Sequence, residues 1–135
     1  MIVKRFQAVE INVPTSSTLT KFFFPDQPQL RGAKIQGIQV YTPTALTKTP
    51  LSGSTPVTLA DLKQSYLTLY QGDLQIVLQL PVLQFNGISD LTSPFVFMLP
   101  EMNDIDISWT KSYVSTSTAL ATTNVAYSFG IFYYL

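Results

Sequence analysis

Apolar residues fall mostly on every second position in short runs, and prolines or glycines separate the runs. A period of two marks half-buried β-strands. The first run, residues 1–13, is rich in Val, Ile and Phe and stops at Pro14, with Val9, Ile11 and Val13 on one face. Phe6 and Ala8 fall on the other face, so this strand either carries a bulge or is buried on both sides. Residues 14–20 are rich in Pro, Ser and Thr and predict a loop. Phe22-Phe23-Phe24 then runs into Pro25-Asp26-Gln27-Pro28, and two prolines so close exclude a helix interior. A second strand is expected over 33–42. Its apolar positions slip between Ile35 and the pair Ile38 and Val40, and Gly37 lies at the slip, where a β-bulge belongs.

Residues 43–57 carry three prolines, one glycine and six Ser or Thr, which predicts an exposed loop. Thr58 offers an N-cap for one helical turn over 59–63. Residues 65–80 predict a hairpin turning at Gln71-Gly72-Asp73. In its return arm the alternation places Leu74, Ile76, Leu78 and Leu80 on a dry face, with Gln75, Val77 and Gln79 opposite. Residues 95–99, bracketed by Pro94 and Pro100, predict a short strand apolar on both faces. Over 104–109, Asp104, Asp106 and Ser108 point out and Ile105, Ile107 and Trp109 point in. Residues 112–123 predict a loop or a weak edge strand. Val125, Tyr127, Phe129, Ile131 and Tyr133 alternate through a last strand. Seven or eight short strands with negligible helix make an all-β sandwich or barrel.

The chain has 135 residues, enough for one domain with a core and too few for two ordinary ones. Charged residues are 12% of it, about half the usual ~25%, and the net charge is zero. Neutrality favours association. The 28 Ser and Thr residues supply much of the surface polarity, which suits faces that meet other proteins. Residues 1–63 hold seven basic and three acidic side chains, whereas 64–135 hold one and five. That split makes either a dipolar subunit with complementary edges or two halves that interleave and average out.

There is no Cys and no His. Disulfides, thiolate metal sites, cysteine nucleophiles, imidazole bases and the Ser-His-Asp triad are thereby removed. No basic block suggests nucleic-acid binding. No apolar stretch approaches the ~18–20 residues of a transmembrane helix, and residues 1–6 do not have the layout of a signal peptide. Glu101, Asp104 and Asp106 lack EF-hand spacing and read as the wet side of a strand. The scattered acids offer no paired-carboxylate site. No enzymatic activity, metal or cofactor is expected.

Two features carry candidate binding chemistry. Phe22, Phe23 and Phe24 are either a hydrophobic anchor at a subunit interface or a strand buried between two layers. The Tyr and Phe residues number 16 beside a lone tryptophan, Trp109. Their inward strand positions favour core packing over the sugar-stacking of a lectin.

The phrase Phe24-Pro25-Asp26-Gln27-Pro28-Gln29-Leu30-Arg31-Gly32-Ala33-Lys34-Ile35 resembles a segment of small structural proteins of icosahedral, tailless bacteriophages. So do Ser65-Tyr66-Leu67-Thr68-Leu69-Tyr70 with Gly72-Asp73 and Leu80-Pro81, and Ile105-Asp106-Ile107-Ser108-Trp109-Thr110-Lys111-Ser112-Tyr113. Together they cover about a third of the chain. The resemblance implies one jelly-roll domain over residues 1–135, a sandwich of eight strands in two sheets. It implies a minor capsid or penton protein at the fivefold vertex, self-assembling as a homo-oligomer, a pentamer, and packing against the major capsid protein within the virion. The loop at 43–57 would suit either a variable surface or a docking site for a receptor-binding spike protein, a further neighbour. The alternative is a decoration, spike, receptor-binding or carbohydrate-binding β-sandwich module. The family's structural role has no catalytic motif to carry over.

Overall fold

The computed structural model describes residues 5–41, 55–85 and 106–134. The strands are β1 (Arg5–Val13), β2 (Lys21–Phe23), β3 (Lys34–Tyr41), β4 (Ser65–Gln71), β5 (Leu74–Pro81), β6 (Tyr113–Thr116) and β7 (Val125–Tyr134), with one short helix, α1 (Leu59–Leu62). They form two antiparallel sheets, a three-stranded one ordered β1-β7-β3 and a four-stranded one ordered β2-β6-β4-β5. All-β is thus the fold class. The strand expected over 95–99, most of the loop over 43–57, and the acids Glu101 and Asp104 lie outside the described residues.

The core joins the two sheets. Val9, Ile11, Ile38, Val40, Phe129 and Ile131 from the first meet Phe22, Leu67, Leu69, Val77 and Val114 from the second in one buried cluster. Ring contacts bridge it: Phe22 lies 5.8 Å from Tyr127, and Phe24 lies 5.3 Å from Phe129. A hydrogen bond bridges it too, between Ser65 Oγ on β4 and Tyr127 Oη on β7 at 2.8 Å. Ser65 already donates its one proton to the Asp61 carbonyl at 2.8 Å, so Tyr127 is the donor to Ser65.

The expectations for the first sheet meet the geometry closely. Val9, Ile11 and Val13 are buried, and β1 pairs with β7 without a bulge. Phe6 and Ala8 are half-buried on the far face, so the strand is covered on both sides. In β3 the pairing shifts between Ile35 and Gly37, the place the glycine marks. At Gly130 an added Cβ would lie 2.6 Å from the Phe6 ring and 2.7 Å from the Tyr41 hydroxyl, so glycine lets both rings close over β7. Residues 55–57 correct the loop expectation: Val57 is fully buried. The Val57 N–H donates to the Ala126 carbonyl at 2.8 Å, and Ala126 N–H donates to Thr55 at 2.9 Å. This short piece occupies the side of β7 that β3 leaves at Tyr41.

The second sheet departs further. The Thr58 hydroxyl caps α1 and the hairpin forms, but the face assigned to β5 holds only in part: Ile76 and Leu80 pack against the core, and the rest departs. Leu74 and Leu78 are each 64% exposed, while Val77 is buried. The pairing with β4 shifts twice, between Leu67 and Leu69 and again between Leu69 and Tyr70. Each shift inserts one residue and reverses the side-chain phase. Gln79, at φ 48, marks the first, and Ile76 and Val77 both turn toward the core across the second. Residues 113–116 are also no edge. β6 lies between β2 and β4. Residues 106–109 bury Ile107 and Trp109 as the alternation requires, but they form coil leading into a 3-10 turn rather than a strand. Strands from the two charge-biased halves interleave in the first sheet, where β7 lies between β1 and β3, whereas in the second β6, β4 and β5 all come from the acidic half and only β2 from the basic one.

Candidate functional site

The phenylalanine triplet divides. Phe22 and Phe24 enter the core, and Phe23 points away from it, 52% exposed. Strand pleat dictates this, because successive side chains point to opposite faces. Of the three candidate interface residues, Phe23 alone offers a ring to a partner.

Phe23 begins a row of rings on the outer face of the four-stranded sheet. It pairs with Tyr113 across β2 and β6, with ring centroids 5.4 Å apart. Tyr113 lies 6.5 Å from Tyr70 of β4. Lys21 places its ammonium 4.2 Å from the centre of the Tyr113 ring, a cation–π contact. Gln75 of β5 donates to the Tyr70 hydroxyl at 3.2 Å. The rings come from three strands, so only the pairing order assembles them.

A pinned loop closes one end of the row. Ser108 N–H donates to the Tyr70 carbonyl at 2.8 Å, and Gly72 N–H donates to Ser108 Oγ at 2.8 Å. Tyr70 N–H donates to Ser112 Oγ at 3.1 Å, and Ser112 in turn donates to the Ser108 carbonyl at 2.9 Å. Gly72, at φ 60, provides the left-handed first position of the two-residue Gly72-Asp73 turn. These bonds hold the 3-10 turn Trp109–Lys111 against the hairpin tip and set Lys111 Nζ 2.6 Å from Asp73 Oδ1. The hydrogen bond and charge of Lys111 hold the Asp73 carboxyl below its ordinary value.

The result is a shallow groove of about 440 Å³ lined by Lys21, Phe23, Tyr70, Asp73, Lys111 and Tyr113, among others. A second groove of about 330 Å³ shares Thr110 and Lys111 with it and continues past Trp109 to the Asp26–Arg31 ion pair. Tyr70 was visible in the sequence only as part of a hairpin arm, and Lys21, Asp73, Lys111 and Tyr113 carry no local signal of a site. Among the described residues no three His, Cys, Asp or Glu side chains gather as a metal site, and Asp106 is simply exposed. No described helix is long and apolar enough to cross a membrane. In comparison with known proteins, no family model, no curated protein and no solved structure matches this chain.

Proposed function

We propose that this chain is a single eight-stranded jelly roll that serves as a structural subunit of an icosahedral, tailless bacteriophage particle. Its role is that of a minor capsid or penton protein at the fivefold vertex, self-assembling as a pentamer and packing against the major capsid protein. Nested pairing supports the jelly roll. β1 pairs with β7, β2 with β6 and β4 with β5, each in antiparallel fashion. One further strand between β5 and β6, beside the edge of β3 that is free among the described residues, would complete two Greek keys of four strands each. The apolar run at 95–99 lies at the right place in the chain to supply it.

The observation that carries assembly is the outermost strand of the larger sheet. Among the described residues β5 has no neighbour beyond it, and it exposes Leu74 and Leu78. A β-edge bearing apolar side chains is a template for association, and monomeric proteins blunt such edges with charge, proline or bulges; β5 has two bulges and a terminal Pro81, yet its bulged stretch presents Leu78 to the outside. All eight residues of β5 are uncharged. The phage-like phrases named above supply the type of assembly, and jelly rolls recur in viral shells.

Purified particles test this directly. Peptides of the chain should be present in them at a low stoichiometry relative to the major shell protein, with density at the fivefold vertices. A particle lacking the chain overturns the proposal.

A further inference from the structure

The geometry points to a second property of the larger sheet's outer face: the groove over Phe23, Tyr113 and Tyr70 is a binding site for a neutral oligosaccharide. This is independent of the assembly role, because the site does not include the β5 leucines.

A sugar ring offers an apolar face of C–H bonds and a rim of hydroxyls that both donate and accept. A site for it needs exposed aromatic faces beside fixed polar groups of both kinds. Lys21 sits 4.2 Å over the Tyr113 ring and only 5.7 Å from the centre of Phe23, which stays 52% exposed, so Phe23 and the half-buried Tyr70 are the more open rings. Around them stand a cation, Lys111, and an acceptor, Asp73, fixed to each other at 2.6 Å by the pinned loop. The Tyr70 hydroxyl accepts from Gln75 and keeps its own proton for a ligand. The two adjoining grooves give room for more than one sugar, and their volumes, about 440 and 330 Å³, fall within the usual range for ligand sites.

Charge selects the ligand class. Lys21, Arg31 and Lys111 in the two grooves balance Asp26, Asp73 and Asp106. A phosphate backbone or an acidic polysaccharide would require a surplus of cations. A neutral ligand rich in hydroxyls fits a balanced set of donors and acceptors. Protein interfaces, by contrast, are depleted of such charges at their centre.

Trp109, the lone tryptophan, is buried against Phe24 beneath the second groove, so occupancy is read by isothermal titration calorimetry. The test is titration of the full chain with neutral gluco-, manno- and chito-oligosaccharides, and with an oligogalacturonate as the acidic control. Saturable binding of a neutral oligosaccharide is expected, with little change between low and high salt. Phe23→Ala should weaken it at least about tenfold, because the ring is a stacking surface and its exposure spares the fold. Leu78→Lys should leave it unchanged. No saturable binding of any neutral member up to about 10 mM overturns the inference, as does equal affinity of Phe23→Ala. Salt-sensitive binding of the oligogalacturonate alone overturns it too. Loss of self-association in Phe23→Ala, with no sugar bound, would assign the face to a protein partner instead.

Discussion

β7 and β5 carry the same apolar alternation in sequence, yet only β7 keeps it in space. β7 is hydrogen-bonded on both edges, to β1 and to β3. Its inward set Tyr127, Phe129 and Ile131 is fully buried, and the one irregularity in its pairing falls in β3. Among the described residues β5 is bonded on one edge only, and it takes up two extra residues against β4. Two neighbours leave a strand no freedom to slip, because a slip on one side would break the pairing on the other. An edge strand can bulge at little cost, and each bulge exchanges inside for outside. The central strand therefore organises the core, whereas the edge strand is where side chains are released to the surface.

The largest effect should come from emptying the middle of β7. Phe129 is fully buried against Phe24 and stacks with Tyr127 at 6.5 Å. Phe129→Ala should cost about 3–5 kcal/mol in urea unfolding. A loss below about 1 kcal/mol would break the claim that β7 organises the core.

Next comes an alkaline transition at the same strand. Burial pushes the Tyr127 hydroxyl up to about 12 from the ordinary 10.0, and the nearby charge of Asp61 adds to the rise. The folded state therefore holds this proton more tightly than the unfolded chain. The associated stability is fully present below pH ~10 and is lost as pH rises through ~12. Its size is about 3 kcal/mol. Tyr127→Phe should lower stability at neutral pH by about 1 kcal/mol, for the lost hydrogen bond, and shrink the alkaline fall. An unchanged pH profile would sink the assignment. Burial also raises Tyr41, on the far face of the same sheet, so part of the fall should persist.

These two contrasts show what the sequence can and cannot convey. Local chemistry was readable: Thr58 as a cap, Gly72 in the turn, Gly37 at the slip, and Val9, Ile11 and Val13 turned inward. Each depends on residues a few positions apart. The face of β5 was not readable, because its bulges are fixed by pairing with β4 and not by its own leucines. β6 looks weak in isolation, since Ser115 and Thr116 are poor core material, yet two neighbours make it central. The ring row was hidden for the same reason. Phe23, Tyr113 and Tyr70 stand far apart in the chain and meet only through strand order. Even the triplet at 22–24 reads differently once the pleat is known, as two core rings and one surface ring.

A smaller effect sharpens the β5 side. Val77 is buried opposite Leu69. Val77→Ala should cost about 1.5–2.5 kcal/mol, the transfer of two methyl groups plus a small cavity. A simple alternation would make this substitution nearly silent, so calorimetry or urea unfolding separates the bulged from the regular strand.

The smallest change in stability belongs to Leu78, the residue that regular alternation would bury most firmly. It is 64% exposed, so Leu78→Ala should stay within about 0.5 kcal/mol of the parent. A loss of about 2 kcal/mol or more would mean the second bulge is absent and the face regular. Leu78→Lys separates surface from interface. In the monomer the lysine extends into solvent at no great cost. In an assembly joined along β5 the same charge is buried without a partner, which is strongly unfavourable. The expected result is an unchanged unfolding curve together with a shift toward monomer in sedimentation velocity, or failure to enter particles. A variant as stable as the parent and as fully assembled would show that subunits join through another edge, and the released leucines would then be a by-product of the bulges alone.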